Sequence, residues 1–378
     1  MAIDDAQVNK LLERARREVD EGLLPSAQVA LGYQGEIVAE ETFGDATSDT
    51  RYCIFSATKP FVASVIWTLM ADGAIDVSKR VTDYFPEFAD GGTEEGTVPG
   101  KADITVEQVM LHTSGFPHAP MGPPTWNKSS TRVERMASWR LNWEPGTRFE
   151  YHPTSAHWVL AEIIERVTGT DFRDVVEERI TNPVGLPRIV GIPADQQGDI
   201  ADLVLVGEPA GPDELEAAFG VRELPATEVN DDLVLRFNES QTREVGVPGG
   251  GGFARARDIA MYYQELLHNT HGIWDAEILA DATGNVRNSL PDPMGVPANR
   301  GLGVILAGDD GMSNMRGLGR TVSPQAFGHN GAGGQLAWAD PATGLSLGYV
   351  TNGYDRHEIR QPRRGTSIGS IAGDCVPE

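Results

Sequence analysis

The sequence contains little cysteine and little positive charge. Only Cys53 and Cys375 occur among its 378 residues, so we predict no disulfide framework. Lysine and arginine together number 31, against 55 aspartate and glutamate residues, and the formal net charge is −24 at pH 7. Because no basic stripe offsets this charge, the sequence argues against a nucleic-acid partner.

Long apolar runs are also missing. No stretch reaches 18 apolar residues, so we expect neither a membrane span nor a membrane partner. The first residues, Met1-Ala2-Ile3-Asp4-Asp5, show no basic region followed by an apolar core, and we therefore expect no signal peptide. A hydrophobic content of 40% is ordinary for a globular protein. These features predict a cytoplasmic protein with one large domain or two.

The chain is organised around Ser56-Ala57-Thr58-Lys59. Apolar residues recur at every third or fourth position from Val62 to Leu69, which predicts a helix with one buried face that ends at Asp72-Gly73. Ser56 would lie at the start of this helix, with the Lys59 amine one turn away on the same face. A buried lysine with a lowered pKa can accept a serine proton. The alternative, favoured for an isolated match, is an N-cap serine beside a solvated lysine.

Two distant stretches favour the catalytic interpretation. Tyr151 follows a Pro-Gly turn and precedes a helix, and its phenol could share a proton with Lys59. Residues 327–335 are rich in glycine and precede a strand, which indicates the close approach of a ligand or of another backbone. There the N–H of Ala332, paired with that of Ser56, could form an oxyanion hole. The alternatives are a tyrosine whose ring belongs to the core and an ordinary glycine-rich hairpin.

Periodicity and turn residues predict the elements around these motifs. Strand signals at both ends of the chain, with helices between them, predict one sheet built from both termini. Residues 190–245 show little periodicity, and we interpret them as insertions that wrap the site. Residues 117–128 read as a surface loop near a pocket, which Met121 and Trp126 would line unless they are core residues. The predicted elements are helices 6–20, 104–111, 156–168 and 257–267, and strands 27–33, 36–39, 303–307, 335–340 and 346–351.

These motifs follow the order and approximate spacing of a known group of proteins. The sequence resembles the serine β-lactamase-like superfamily, and most of all the class C β-lactamase-related branch, which includes the family VIII carboxylesterases. The likeness extends over most of residues 1–353. It rests on Ser56-x-x-Lys59, Tyr151, His329-Asn330-Gly331, and the supporting stretches Ile104-Thr105-Val106, His112-Thr113-Ser114-Gly115, Trp143-Glu144-Pro145-Gly146 and Phe327-Gly328.

The resemblance implies an α+β fold of the β-lactamase/transpeptidase type. In that fold an antiparallel sheet is flanked by helices, and a helical domain is inserted. We assign residues 1–74 and 299–378 to the α/β domain and residues 75–298 to the helical domain, with the active site between them.

The resemblance also implies roles for single residues. Ser56 would be the acylated nucleophile, and Lys59 with Tyr151 would be the proton-transfer pair. No cofactor is implied. The candidate substrate-binding residues are His329, Asn330, Gly331, Trp126 and Met121.

Two positions depart from the class C β-lactamases. Their tyrosine is followed two residues later by an asparagine, where this chain has Pro153, and their Lys-Thr-Gly is replaced by His329-Asn330-Gly331. Pro153 has no side-chain amide to hold a β-lactam, and His329 is largely neutral at pH 7. We therefore expect a serine hydrolase acting on small carboxylic esters. The alternatives are an amidase or D-aminopeptidase, a β-lactamase-like hydrolase, an acyltransferase, and a non-catalytic binding protein of the same fold; the oligomeric state is left open.

Other motifs in the sequence have simpler, structural interpretations. Gly365-Thr366-Ser367-Ile368-Gly369 matches the nucleophile elbow of α/β-hydrolases, but no histidine follows it. Gly249-x-Gly251-x-x-Ala254 imitates a dinucleotide fingerprint without a convincing strand before it, so we interpret it as a structural turn. Ser114 fits a helix-ending cap or turn. No metal is expected, because the metal-ligand spacing is absent at His118, His152 and His157.

Overall fold

The computed structural model of the protein describes residues 2–92, 98–224 and 230–376. Part of the segment interpreted as wrapping insertions, residues 225–229, therefore lies outside the described residues. Residues 1, 93–97, 377 and 378, which belong to the predicted domains, lie outside them as well.

Strands dominate the two ends of the chain, and most helices lie between them. The strands are β1 (Ser26–Tyr33), β2 (Glu36–Gly44), β3 (Tyr52–Cys53), β4 (Val204–Val206), β5 (Phe253–Ala254), β6 (Ile305–Leu306), β7 (Phe327–Gly328), β8 (Leu336–Asp340), β9 (Leu345–Thr351) and β10 (Gly353–Asp355). The α-helices are α1 (Asp5–Asp20), α2 (Lys59–Ala71), α3 (Val81–Tyr84), α4 (Val106–Met110), α5 (Ser129–Ala137), α6 (Ser155–Thr168), α7 (Phe172–Val176), α8 (Asn182–Val184), α9 (Pro212–Phe219), α10 (Asp231–Leu235), α11 (Ser240–Val245), α12 (Ala256–His268), α13 (Ala276–Gly284) and α14 (Arg360–Gly373).

Six strands form one antiparallel sheet in the order β2-β1-β9-β8-β7-β6. The β1–β2 hairpin turns at Gln34-Gly35, where both residues have positive φ, as a two-residue type I′ turn requires. β1 then pairs with β9, so that Ala27 lies opposite Thr351. The prediction of one sheet built from both ends of the chain is confirmed.

Helices cover both faces of the sheet. On one face Val29 and Leu31 of β1 pack into a core with residues of α1 and α14, and on the other face Ala30 belongs to the core that contains α12. Helix α12 lies very close to the sheet, because a Cβ on Gly348 of β9 would lie 2.1 Å from the carbonyl oxygen of Ala256. This arrangement of an antiparallel sheet flanked by helices confirms the expected α+β architecture.

Helix α2 is buried on all sides. Every residue from Lys59 to Leu69 is buried, because α2 packs against α6, α7 and α13. The predicted buried face is present, and burial extends beyond it around the whole helix; the predicted end at Asp72 is correct, and Gly73 follows it with φ +68°. A helix that is apolar around its whole circumference is typical of the centre of a large core.

The longer predicted elements agree with the structure. Helices α1, α6 and α12 begin and end within one residue of the predicted bounds, and Thr105 caps α4 as expected. The predicted strand 303–307 is shorter than expected, since β6 covers only Ile305–Leu306. The described part of residues 190–245 contains β4, α9, α10 and α11, so it has more regular structure than the sequence indicated.

The division into two domains stays a prediction. Helix α12 lies within the range assigned to the helical domain and packs on β1, β8 and β9, whereas α2, from the other range, packs on α6. Among the described residues, no helix combines the length and the apolar character needed to cross a membrane.

Candidate active site

Ser56 lies in a 3-10 turn, Phe55–Thr58, immediately before α2. The Thr58 hydroxyl fixes this turn, because it donates to the Phe55 carbonyl at 2.6 Å and accepts from the Gly252 N–H at 2.9 Å. Phe55 itself has a φ of 44°, in the left-handed region that bulky residues rarely adopt. The turn leaves Ser56 half-buried at the wall of a cavity.

The Lys59 amine is fully buried and has three polar neighbours. Its Nζ lies 3.1 Å from Ser56 Oγ, 2.7 Å from the Pro153 carbonyl oxygen and 2.5 Å from that of Gly249. Carbonyl oxygens can only accept, so a neutral amine would donate both hydrogens to them and turn its lone pair towards Ser56. Burial, and then the charge of Arg300, hold the pKa of Lys59 well below its usual value. The amine is therefore placed to accept the serine proton.

The Tyr151 hydroxyl donates a hydrogen bond to Ser56 Oγ at 2.8 Å. Burial raises the pKa of Tyr151 to about 12, although the Ser56 hydrogen bond and the charge of Arg300 act in the opposite direction. The phenol is therefore protonated at pH 7. Because Ser56 Oγ accepts this proton donor, its own hydrogen is free to point towards Lys59.

Four buried histidines lie around this group. His152 is held as a neutral ring, since its Nδ1 lies 2.6 Å from the Glu150 carbonyl oxygen and burial lowers its pKa to about 3. Burial also holds the pKa values of His112, His157 and His329 well below their usual range. These rings are neutral at pH 7 and supply packing and dipoles rather than charge.

Arg300 is a buried cation beside Tyr151 that the sequence analysis missed. Its guanidinium carbon lies 5.4 Å from the centre of the Tyr151 ring and 5.4 Å from that of Phe149. Burial lowers the pKa of Arg300 to about 10, so the group stays charged at pH 7. One signal was present: a lone arginine interrupts the mostly apolar stretch from Val296 to Leu306.

The cavity beside Ser56 has a volume of about 400 Å³ and mainly apolar walls. Met121 and Trp126, the predicted lining residues, both belong to it. Part of the wall comes from Leu233, Val234 and Phe237, which lie in the segment 190–245 that we interpreted as wrapping insertions. The lining residues are Phe55, Ser56, Pro120, Met121, Gly122, Trp126, Pro153, Thr154, Leu233, Val234, Phe237, Val247, Gly249, Gly250 and Ala332.

The glycine-rich segment after β7 supplies Ala332 to the same cavity as Ser56. Gly331 lies against the backbone just before the turn that carries Ser56, because a Cβ there would be 2.2 Å from the Ile54 carbonyl oxygen. Asn330 is used within the segment, since its Nδ2 donates to the Gly317 carbonyl and its Oδ1 accepts from the Ala337 N–H. His329 is buried, with its ring centre 5.8 Å from that of Tyr151. These three predicted substrate-binding residues are not among those that line the cavity, in contrast to Met121 and Trp126.

Two contacts of the Lys59 amine come from backbone carbonyl groups, which no side-chain motif could predict. The carbonyl groups of Pro153 and Gly249 accept the Lys59 hydrogen bonds. The glycine-rich segment at Gly249, interpreted as a structural turn, therefore also contacts the reactive group.

Ser367 and Ser114 both have structural surroundings. Ser367 lies within α14, and its Oγ accepts a hydrogen bond from Arg14 Nε at 3.0 Å. Ser114 is fully buried, with its Oγ 3.1 Å from His152 Nε2. Neither lines the cavity beside Ser56.

Comparison with known families decides the assignment. The sequence model of the family described as Beta-lactamase matches residues 11–367. The chain belongs to the beta-lactamase family. The resemblance stated from the motifs is thereby confirmed, as is the β-lactamase/transpeptidase-like fold. The coarse assignment that follows is a β-lactamase-like serine hydrolase.

Similar proteins carry both esterase and peptidase names. This member of the beta-lactamase family is 27% identical over 349 residues to "Putative D-alanyl-D-alanine carboxypeptidase" of Escherichia coli (strain K12). The aligned region covers 85% of this chain and 73% of that protein. It is 28% identical over 328 residues to "Esterase/beta-lactamase LipL" of Mycobacterium tuberculosis (strain ATCC 25618 / H37Rv), across 81% of this chain and 70% of LipL. The crystal structure of a family VIII carboxylesterase superposes with a TM-score of 0.76 at 26% identity and covers 98% of both chains.

Proposed function

We propose that the protein is a carboxylesterase that cleaves small esters through a Ser56 acyl-enzyme. The observation behind this proposal is the position of Ser56 Oγ, 3.1 Å from Lys59 Nζ and 2.8 Å from Tyr151 Oη, at the wall of an apolar cavity. The names of LipL and of the family VIII structure support ester hydrolysis.

Acylation begins when neutral Lys59 accepts the hydroxyl proton of Ser56 and Oγ attacks the ester carbonyl carbon. The N–H groups of Ser56 and Ala332 stabilise the oxyanion of the tetrahedral intermediate. When the intermediate collapses, Tyr151 protonates the departing alkoxide and recovers a proton from Lys59. Water then attacks the acyl-enzyme by the reverse proton path and releases the carboxylic acid and free Ser56.

The cavity suggests which esters fit. About 400 Å³ between mainly apolar walls accommodates a short or medium apolar acyl group, which gains free energy when it is removed from water. The partner of the site is therefore a small ester with an apolar group beside its carbonyl.

The decisive test uses a fluorophosphonate probe and p-nitrophenyl butyrate. We expect one covalent adduct, located on Ser56 by mass spectrometry. Ser56→Ala should abolish both labelling and turnover, because Ser56 Oγ is the hydroxyl that lies between Lys59 Nζ and Tyr151 Oη. Ser367→Ala is the matched control and should change neither; an adduct on Ser367 would refute the assignment.

A second candidate is hydrolysis of small amides or peptides, supported by the name of the Escherichia coli relative. An amide has a poorer leaving group, so its cleavage depends more on protonation by Tyr151. Either enzyme would cleave an ester faster than the matched amide, so the test is whether D-amino-acid amides are hydrolysed at all. An amidase or peptidase should turn them over, whereas an esterase should hydrolyse only the esters of the same acyl group.

A further inference from the structure

Arg300 differs from the other buried arginines described in the structure. Arg364 pairs with Asp355, Arg316 with Asp310 and Arg132 with Glu165. Arg300 is also buried, but within residues 2–92, 98–224 and 230–376 it makes no ion pair, and its Nε has no hydrogen-bond partner. An unpaired buried charge is costly.

Arg300 and Lys59 lie against the same aromatic ring. The guanidinium carbon is 5.4 Å from the centre of the Tyr151 ring, and Lys59 Nζ is 5.0 Å from that centre. The two groups are therefore no more than about 10 Å apart, with little water between them because both are buried. One permanent positive charge at this distance makes a second one unfavourable.

We propose that Arg300 is a positioning residue of the esterase proposed above, and that its fixed positive charge, added to the burial of the amine, keeps Lys59 in the neutral form that accepts the Ser56 proton. Arg300 is not among the residues that line the cavity beside Ser56. It acts through Lys59, and through the Tyr151 ring on which it lies. The inference rests on the proposed function and adds a residue that the motif Ser56-x-x-Lys59 does not contain.

The other titratable groups around this pair do not supply the same charge. His112, His157 and His329 are neutral at pH 7, since burial and the charge of Arg300 both lower their pKa values. Tyr151 keeps its proton. Asp292 is the acid whose charge acts on Arg300, and no ion pair joins the two within the described residues. Arg300 is thus the cation that acts most directly on Lys59.

The test measures how fast a fluorophosphonate labels Ser56 between pH 5 and 9, at constant ionic strength, in the wild type and in variants. Arg300→Met and Arg300→Gln remove the charge, Arg300→Lys keeps it, and exposed Arg16→Met on α1 is the control. Labelling requires neutral Lys59, so its rate falls as the pH drops through the pKa of Lys59. Without the Arg300 charge that pKa rises, and we expect the midpoint to move upward by about one pH unit. Well below the midpoint the rate should fall about tenfold relative to its plateau.

Arg300→Lys and Arg16→Met should keep the wild-type midpoint. An unmoved midpoint in folded Arg300→Met or Arg300→Gln would overturn the inference, and so would a Lys variant that shifts as far as they do. A purely structural role predicts lower rates at every pH with the same midpoint. The proposed function fails separately: if the wild type is labelled at Ser56 but does not hydrolyse esters, the esterase proposal is wrong and the midpoint still tests Arg300.

Discussion

The hydrogens around Ser56 have one consistent arrangement. Tyr151 donates to Ser56 Oγ, and two carbonyl oxygens take the two hydrogens of a neutral Lys59 amine. The hydrogen of Ser56 is then left for the lysine lone pair. In the proposed mechanism the proton would stay within the site after attack, so that Lys59 and Tyr151 would pass it to the leaving group without a contribution from bulk water.

Lys59 and Tyr151 should behave as one unit in mutants. Lys59→Met and Tyr151→Phe should each lower kcat for p-nitrophenyl butyrate by about 10² or more, because each breaks the same proton path. The double variant should lose far less than the product of the two single losses. Steady-state kinetics of the three variants is the measurement. A Tyr151→Phe enzyme with nearly wild-type kcat would show that the tyrosine only packs against the site.

The turn that begins at Ala332 illustrates control at the scale of an element. The Gly331 N–H donates to the Gln335 carbonyl at 3.0 Å, and the missing Cβ of Gly331 lets the segment lie against the Ile54 carbonyl oxygen. The position of the Ala332 N–H therefore depends on contact between the backbone just before the turn that carries Ser56 and the glycine-rich segment. These two segments lie far apart in the sequence, and only the folded structure brings them together.

Gly331→Ala should displace the Ala332 N–H and weaken stabilisation of the oxyanion. Its Cβ would lie 2.2 Å from the Ile54 carbonyl oxygen, so backbone must move. We expect kcat for p-nitrophenyl butyrate to fall by about tenfold or more with a smaller change in KM, since loss of one oxyanion donor costs about 10²–10³. Gly284→Ala, where a Cβ meets nothing within 4 Å, is the control. Wild-type kcat in folded Gly331→Ala would separate this turn from the oxyanion hole.

Elements were predictable where the pattern was local. Helices α6 and α12 have apolar periodicity and end at Gly169 and Asn269, residues with positive φ, so their bounds followed from the sequence. Strands β3, β5 and β7 have two residues each and no period to detect. Ser56 and Lys59 could be recognised because they lie three positions apart in the sequence. The Pro153 carbonyl could not, since any residue can supply a backbone oxygen and only the fold brings it to Lys59.

At the scale of the whole molecule, the site is assembled from segments far apart in the sequence. Ser56 comes from the turn before α2 and Lys59 from the first residue of that helix, Tyr151 from the segment before α6, and Ala332 from the turn before β8. Arg300 could not be predicted from the sequence for the same reason. Its guanidinium lies beside Tyr151 only because of the way β6 and the segment before it pack in the fold. A large core that includes α2 joins these segments. The preference among substrates therefore depends on the groups that each of these segments places at the cavity.

Esters should be better substrates than β-lactams. In place of an asparagine side chain, this chain presents Pro153, whose carbonyl already binds Lys59 at 2.7 Å, so nothing at this position can hold the side-chain amide of a β-lactam. A missing hydrogen bond costs about 1–3 kcal/mol, or roughly 5- to 150-fold in kcat/KM. An ester needs no such contact, since its alkoxide leaves readily once Tyr151 protonates it. We expect kcat/KM for p-nitrophenyl butyrate to exceed that for nitrocefin when both are measured on one preparation. A nitrocefin value equal to or above that of the ester would show that another group replaces the missing amide.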